Sequence, residues 1–393
     1  MSQTRVAPAL SAEEQHVFRR DVRRFVESEI VPHVNEWERE ERVPRALWRR
    51  LGELGYLGLE APEEYGGSQS GFMATLIFME ELSRCGSMGV AIGVAVHTDM
   101  SSPYILRLGT AEQRRRYFPS FVSGERICGV AISEPGAGSD VAGVKTRATR
   151  QGDSYILNGS KTFITNGVYG DVFVVVARTG EGRPGSRHEG ISLFIVEKGT
   201  KGFSVSKKLE KIGWWASDTA ELAFVDCEIP SSNLLGEEGA GFRELMTNLQ
   251  RERLLLGVIG YAGAGRILEK SVDYARERKV FDQPLTELQT IRHRLAEMAT
   301  AVETARRFVH SLVPEFEAGT ASDSVVSMSK VVACDAASLV ADSAVQIFGG
   351  YGCMREFGIE RFYRDVRILP IGGGSSEILK EIIAKRLLSG SPR

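Results

Sequence analysis

Residues 245–256 set a carboxylate where water is scarce. Leu245, Leu249 and Leu256 fall at i, i+4 and i+11, one face of a helix, and Glu252 falls at i+7 on the same stripe. Its neighbours Arg251 and Arg253 point about 100° to either side. A carboxylate on an apolar face is costly unless it is paired or used. Taken alone, Glu252 is half of a buried ion pair or an acid–base group. Desolvation would raise its proton affinity toward the range that serves proton abstraction.

Glycine-rich segments come with it. Glu134-Pro135-Gly136-Ala137-Gly138-Ser139-Asp140 is either a plain turn or a loop whose N–H groups approach an anionic or polar ligand. It is not GxGxxG after a strand and opens no βαβ unit, which disfavours a Rossmann nucleotide site. The run Lys161-Thr162-Phe163-Ile164-Thr165-Asn166-Gly167 alternates like a half-buried strand. Gln346-Ile347-Phe348-Gly349-Gly350-Tyr351-Gly352 ends a helix and precedes Glu356, Arg361, Arg364 and Asp365. Ile371-Gly372-Gly373-Gly374-Ser375-Ser376-Glu377 leads into the last helical stretch. His97, in a Gly/Ala-rich stretch, reads as a satisfied core histidine, and Trp214-Trp215 as packing.

Three textures along the chain must position these groups, and the reading divides it at 1–127, 128–238 and 239–393. The first block is helical: Ser11-Ala12-Glu13-Glu14 is a capping box followed by Phe18, Val22 and Phe25, and further helices fit 45–55, 71–85 and 111–123. The second reads as strands. Residues 155–157 and 161–165 flank Asn158-Gly159, a hairpin signal, and 173–177, 191–196, 203–209 and 220–225 follow. Many short strands in about a hundred residues suggest a small barrel or sandwich. The third returns to long helical periods near 241–277, 286–317, 321–347 and 376–388, which imply a bundle. The fold class is mainly α with a central β-domain.

Composition narrows the classes. The 393 residues carry 49 Lys and Arg against 51 Asp and Glu, a net charge of −2, so no basic stripe argues for nucleic acid. No apolar run reads as the ~20 residues of a membrane helix, so no membrane insertion is expected. The five cysteines form no CxxC pair, against a zinc site or disulfide framework. The opening MSQTRVAPAL lacks the marks of a secretory or mitochondrial leader, and the reading is cytoplasmic.

In this order and spacing the segments resemble the acyl-CoA dehydrogenase family over nearly the whole chain. The resemblance rests on the 134–140 loop, the Phe163-Ile164-Thr165-Asn166-Gly167 strand, Glu277-Arg278-Lys279-Val280-Phe281, the 346–352 segment and Arg361-Phe362-Tyr363-Arg364-Asp365-Val366-Arg367. It implies an N-terminal helical domain, a middle β-barrel and a C-terminal four-helix bundle. It further implies FAD-dependent desaturation of an acyl-CoA thioester, a carboxylate taking the α-proton and flavin N5 the β-hydride. Val130, Ile132 and Ser133 would touch the flavin ring, Phe163 would flank it and Thr165 would face N5. Arg278, Phe281, Gln289, Gln346 and Gly350 match positions on the adenosine diphosphate half, shared across subunits of a homo-oligomer, most often a tetramer. Ser139, Phe242 and Arg253 match positions near the thioester arm, and Ser375 and Glu377 are assigned to the cofactor side of the terminal helix. The implied electron acceptor is an electron-transferring flavoprotein.

One departure decides where the base lies. Most of the family carries a glutamate where this chain has Gly373. A subset that includes long-chain and isovaleryl-CoA dehydrogenases keeps a small residue there and its base on the preceding long helix, and the segments around Glu252 and 370–374 resemble the long-chain type. The resemblance therefore assigns the base to Glu252 and makes the Gly373 N–H, with a flavin ribityl hydroxyl, the donors to the thioester oxygen. Glu377 is the rival base, although a glutamate opening a helix is ordinarily a dipole partner. A medium- to long-chain or branched saturated acyl group is expected. Three alternatives stay open: an acyl group on a carrier protein, a flavin oxidase on the same scaffold, and a non-catalytic flavoprotein.

Overall fold

A computed structural model describes residues 10–180, 182 and 186–389; the first nine residues, on which the leader reading rests, lie outside it. Among the described residues seven α-helices come first: α1 (Ala12–Phe25), α2 (Val34–Glu40), α3 (Arg45–Glu53), α4 (Gly71–Ser83), α5 (Met88–Ala95), α6 (Ser102–Leu108) and α7 (Ala111–Val122). The capping box forms as expected: Ser11 Oγ accepts from the Glu14 N–H while Glu14 accepts from the Ser11 N–H at 2.8 Å. Between α5 and α6 the backbone widens into a π-turn over Val96–Ser101, a local form often found at functional sites.

Eight strands follow: β1 (Cys128–Ala131), β2 (Arg147–Gln151), β3 (Ser154–Thr165), β4 (Val172–Arg178), β5 (Ile191–Glu197), β6 (Phe203–Lys208), β7 (Thr219–Pro230) and β8 (Leu234–Leu235). Their order is β6-β7-β3-β2-β4-β5-β8, with β1 parallel to β4. The halves join through one residue pair, Arg147 with Arg178, and curve around a shared core that includes Leu157, Val175, Phe194 and Leu222. Hydrogen bonding leaves β6 and β8 as edges, so the expected barrel is open in its pairing. Strands β4 and β5 are buried on both faces, because their second face packs on α6 and α7. This is why they read as continuous apolar runs.

The hairpin expected at Asn158-Gly159 does not form. Residues 154–165 are one strand, and the turn lies earlier, at Gly152. A Cβ on Gly159 would come 2.7 Å from Thr146 Cα, so close backbone approach explains the glycine. Asn158 instead reaches across a bulge, its Oδ1 accepting from the Asp226 N–H at 2.8 Å.

The last block holds α8 (Gly241–Glu277), a short hairpin of β9 (Lys279–Val280) and β10 (Gln283–Pro284), then α9 (Gln289–Ser311), α10 (Val313–Glu317), α11 (Asp323–Phe348), α12 (Ile359–Val366) and α13 (Ser376–Leu388). Helix α11 packs against α8, α9 and α13. One qualification concerns the membrane reading: Asp323–Cys353 reaches a mean hydropathy of 1.5, apolar and long enough to cross a bilayer. Here it is a central helix of the bundle, and its apolar side chains meet the neighbouring helices.

Candidate active site

The 37-residue α8 is where the helical block meets the other two. Its first turns lie against β5 and the π-turn. Glu252 is buried on it, 5% exposed, and forms no salt bridge among the described residues. Asn248, one turn earlier, donates from Nδ2 to Glu252 Oε1 at 3.2 Å. Burial pushes the Glu252 carboxyl up to about 7, opposed by the Asn248 hydrogen bond and by the charges of Arg253 and Lys330. The buried ion pair belongs to Arg251. Its guanidinium binds Glu60, with Nη1 to Oε2 at 3.0 Å, and Asp99, with Nε to Oδ1 at 2.9 Å.

The glycine segment faces the same stripe. Gly373 sits at φ +63°, and a Cβ placed there would lie 2.4 Å from Leu256 Cδ1. Leu256 is one turn beyond Glu252, so position 373 and the Glu252 carboxyl approach one face of α8. Lys330, buried on α11, donates to the carbonyl oxygens of Gly372 and, at 2.7 Å, Gly374. In a trans peptide N–H and C=O point opposite ways. Holding the Gly372 carbonyl toward Lys330 therefore turns the Gly373 N–H away from it, and that N–H has no acceptor among the described residues. Arg253 is buried beside Gly374, its Nε without a hydrogen-bond partner among the described residues, and the Tyr104 hydroxyl is buried next to Asn248.

Around the 134–140 loop the geometry is fixed from below. Glu134 accepts from the Lys145 and Thr146 N–H groups at 2.6 and 3.0 Å and from buried Lys161 at 2.8 Å. Lys161 also donates to the Ile132 carbonyl at 2.9 Å, and Ser133 Oγ donates to the Thr162 carbonyl at 2.7 Å. These bonds tie Val130, Ile132 and Ser133 to the strand bearing Phe163 and Thr165. Phe163 is 72% exposed at φ +60° and Thr165 is half-buried. An exposed aromatic in left-handed backbone carries a cost that contact with a flat ligand would offset.

Arg278, Phe281, Gln289, Gln346 and Gly350 are all exposed. Phe281 tips the β9–β10 hairpin at φ +51° and is 91% exposed, while the Arg278 guanidinium lies 5.7 Å from the Tyr351 ring. Ser139 is exposed at the loop tip, and Phe242 packs on His188 with ring centroids 4.3 Å apart. Phe242 also borders a cleft of about 760 Å³ with Leu106, Arg107, Met246 and Asn248. Ser375 caps α13, accepting from the Ile378 N–H at 3.4 Å. Glu377 is exposed and held below the usual carboxylate range by hydrogen bonds from its own backbone and Ser375, so it lacks the dry setting of a base. His97 is a satisfied core residue: Nδ1 accepts from the Cys128 N–H at 2.9 Å and Nε2 donates to the Phe121 carbonyl at 3.2 Å.

Three family descriptions match in chain order: acyl-CoA dehydrogenase N-terminal domain over residues 12–125, middle domain over 129–227 and C-terminal domain over 239–388. The chain belongs to the acyl-CoA dehydrogenase family. It is 42% identical over 378 residues to the long-chain specific acyl-CoA dehydrogenase of Rattus norvegicus mitochondria, spanning 96% of this chain and 87% of that protein. An acyl-CoA dehydrogenase from Geobacillus kaustophilus superposes with a TM-score of 0.93 at 43% identity, covering 97% of this chain and 99% of that one. A chain from the structure described as the electron transferring flavoprotein of Acidaminococcus fermentans gives 0.92 at 35% identity, covering 97% and 99%. The protein is an FAD-dependent oxidoreductase of the family that acts on acyl-CoA.

The residues present fit FAD. Exposed Phe163 and Phe281 offer bare aromatic faces, Arg278 a cation, and Gly136, Gly138 and Gly350 open space where a Cβ would meet nothing within 4 Å. Sequence reasoning missed Asn248, Lys330, Lys161 and the Glu60–Arg251–Asp99 cluster. Only Lys330 left a signal, as the lone cation in the mostly apolar stretch 325–334.

Proposed function

We propose that the chain removes the α- and β-hydrogens of a saturated acyl thioester, with Glu252 taking the α-proton. The observation that carries this is a buried carboxylate, without a salt bridge among the described residues, on the face of α8 against which Gly373 sets bare backbone in place of a side chain. A carboxyl raised to about 7 is half ionised near neutrality and a stronger base than an exposed glutamate. The α-proton of a thioester is only weakly acidic, so charge developing on its oxygen needs donors already in place. The Gly373 N–H, aimed by Lys330, is one such donor. FAD supplies the hydride acceptor for the β-hydrogen.

The acyl group is proposed to be medium- to long-chain or branched. A base reaching from α8 leaves the small 372–374 segment against the reacting carbons, with room for bulk. Ser139, Phe242 and Arg253 would border the thioester arm, and Val130, Ile132, Ser133, Phe163 and Thr165 the flavin. Arg278, Phe281, Gln289, Gln346 and Gly350 would hold the dinucleotide half together with a second subunit, in the tetramer that the resemblance implies; the exposure of Phe281 supports a contact made there. An electron-transferring flavoprotein is the proposed acceptor, and a cytoplasmic setting fits the five unpaired thiols. Anaerobic mixing with straight and methyl-branched acyl-CoAs tests the reading: the flavin should bleach, and turnover should need an added acceptor. Strong preference for butyryl-CoA would refute the acyl class, turnover only with carrier-protein thioesters would replace CoA, and peroxide formation without acceptor would make the enzyme an oxidase.

A further inference from the structure

Asp99, on the π-turn between α5 and α6, is gripped twice by α8. Its carboxylate takes Arg251 and its backbone carbonyl accepts from Asn248 Nδ2 at 3.3 Å. The same Nδ2 donates to Glu252 Oε1. Both groups facing this nitrogen are acceptors, which fixes the amide's orientation, since the flipped amide would set an oxygen against two oxygens. Asn248 is itself buried, 5% exposed, so water does not readily take its place.

We infer that Asn248 is the positioning residue of the base: anchored on the Asp99 carbonyl, it holds the Glu252 carboxylate in one orientation and stabilises its ionised form. This rests on the reading of Glu252 as the base. Arg251 locks the turn on which Asn248 and Glu252 sit, while both of its carboxylate partners lie on the N-terminal block. The charges acting on Glu252 are Arg253 on α8 and Lys330 on α11, and the Tyr104 hydroxyl on α6 lies near both Glu252 and Asn248. None of these donates a hydrogen bond to the Glu252 carboxylate, which leaves Asn248 in that role among the described residues.

The test is the pH profile of kcat/KM, which reports the free enzyme. Asn248→Ala should move the acid limb upward by about one pH unit, the size expected for losing a hydrogen bond to a charged group. The rate should fall several-fold near pH 7 and recover toward the alkaline plateau. Asn248→Gln, which keeps the donor, should move the limb back toward the parent. Flavin content and thermal melting identify a variant that fails to fold, in which case Asn248→Ser replaces Asn248→Ala. A limb that stays put while the rate drops equally at all pH values, or no change at all, overturns the inference. Glu252→Gln serves as the control: if it still reduces flavin at a normal rate, the base assignment fails instead.

Discussion

Leu256 occupies the space that a side chain at Gly373 would need, with only 2.4 Å between its Cδ1 and a Cβ placed there. Leu256 therefore stands against any side chain at position 373, and Glu252 is the carboxylate that this stripe carries. Moving the base by Glu252→Gly with Gly373→Glu should give a poor enzyme, strained both by this contact and by φ +63°. Adding Leu256→Ala should raise the rate of flavin reduction above that of the double variant, measured anaerobically by stopped flow. A triple variant no faster than the double would mean that the two positions do not converge.

Glu252→Gln should fold, stay yellow and bind acyl-CoA, yet reduce flavin roughly 10²–10⁴-fold more slowly. In the parent, the rate of reduction should rise with pH through about 7 as the carboxyl ionises. A flat profile between pH 5 and 9 would speak against a buried carboxyl base.

The same carboxyl makes folding depend on pH. Its folded value, about 7, lies above the ordinary 4.5, so between these values the folded chain holds a proton that the unfolded chain has released. Stability should therefore decline as pH rises across that window. Glu252→Gln cannot ionise and should melt higher than the parent at pH 8, by the equivalent of about 2–3 kcal/mol, with the difference shrinking at pH 5. Melting curves at the two pH values decide it.

Lys330→Met should strip two carbonyl oxygens of their donor and free the Gly372 peptide to turn. Stability should fall by about 2–4 kcal/mol, and turnover should fall further than substrate binding if the Gly373 N–H serves, as proposed, charge that develops during reaction. Equal losses in kcat/KM and in binding of an unreactive acyl-CoA analogue would assign Lys330 to structure alone.

Arg278→Ala and Phe281→Ala should each lower flavin occupancy in purified protein while leaving the fold intact. The absorbance ratio at 450 and 280 nm, set beside circular dichroism, measures this; undiminished flavin in both variants would remove the hairpin from the cofactor site.

Helix periods and apolar runs made the architecture legible, since α8, α11 and α13 end within about two residues of the stretches read from sequence. The Glu252 stripe was legible for the same reason. Asn158-Gly159 misled because a local turn preference yielded to long-range pairing with β7. Asn248 and the partners of Arg251 were hidden for a different reason. Glu60 and Asp99 lie 191 and 152 residues away from Arg251, and no local period reports a contact made by folding the first block onto the third.

Helix α8 carries Glu252 near one end and stops at Arg278. The 26 residue steps from Glu252 to Arg278 span about 39 Å of one continuous rod, about seven turns. One residue inserted between the two ends would swing Arg278 by about 100° around the axis relative to Glu252 and push it about 1.5 Å outward. Substitutions along this stretch adjust packing locally, whereas a single insertion or deletion takes the proposed proton-abstracting end and the proposed dinucleotide-holding end out of phase.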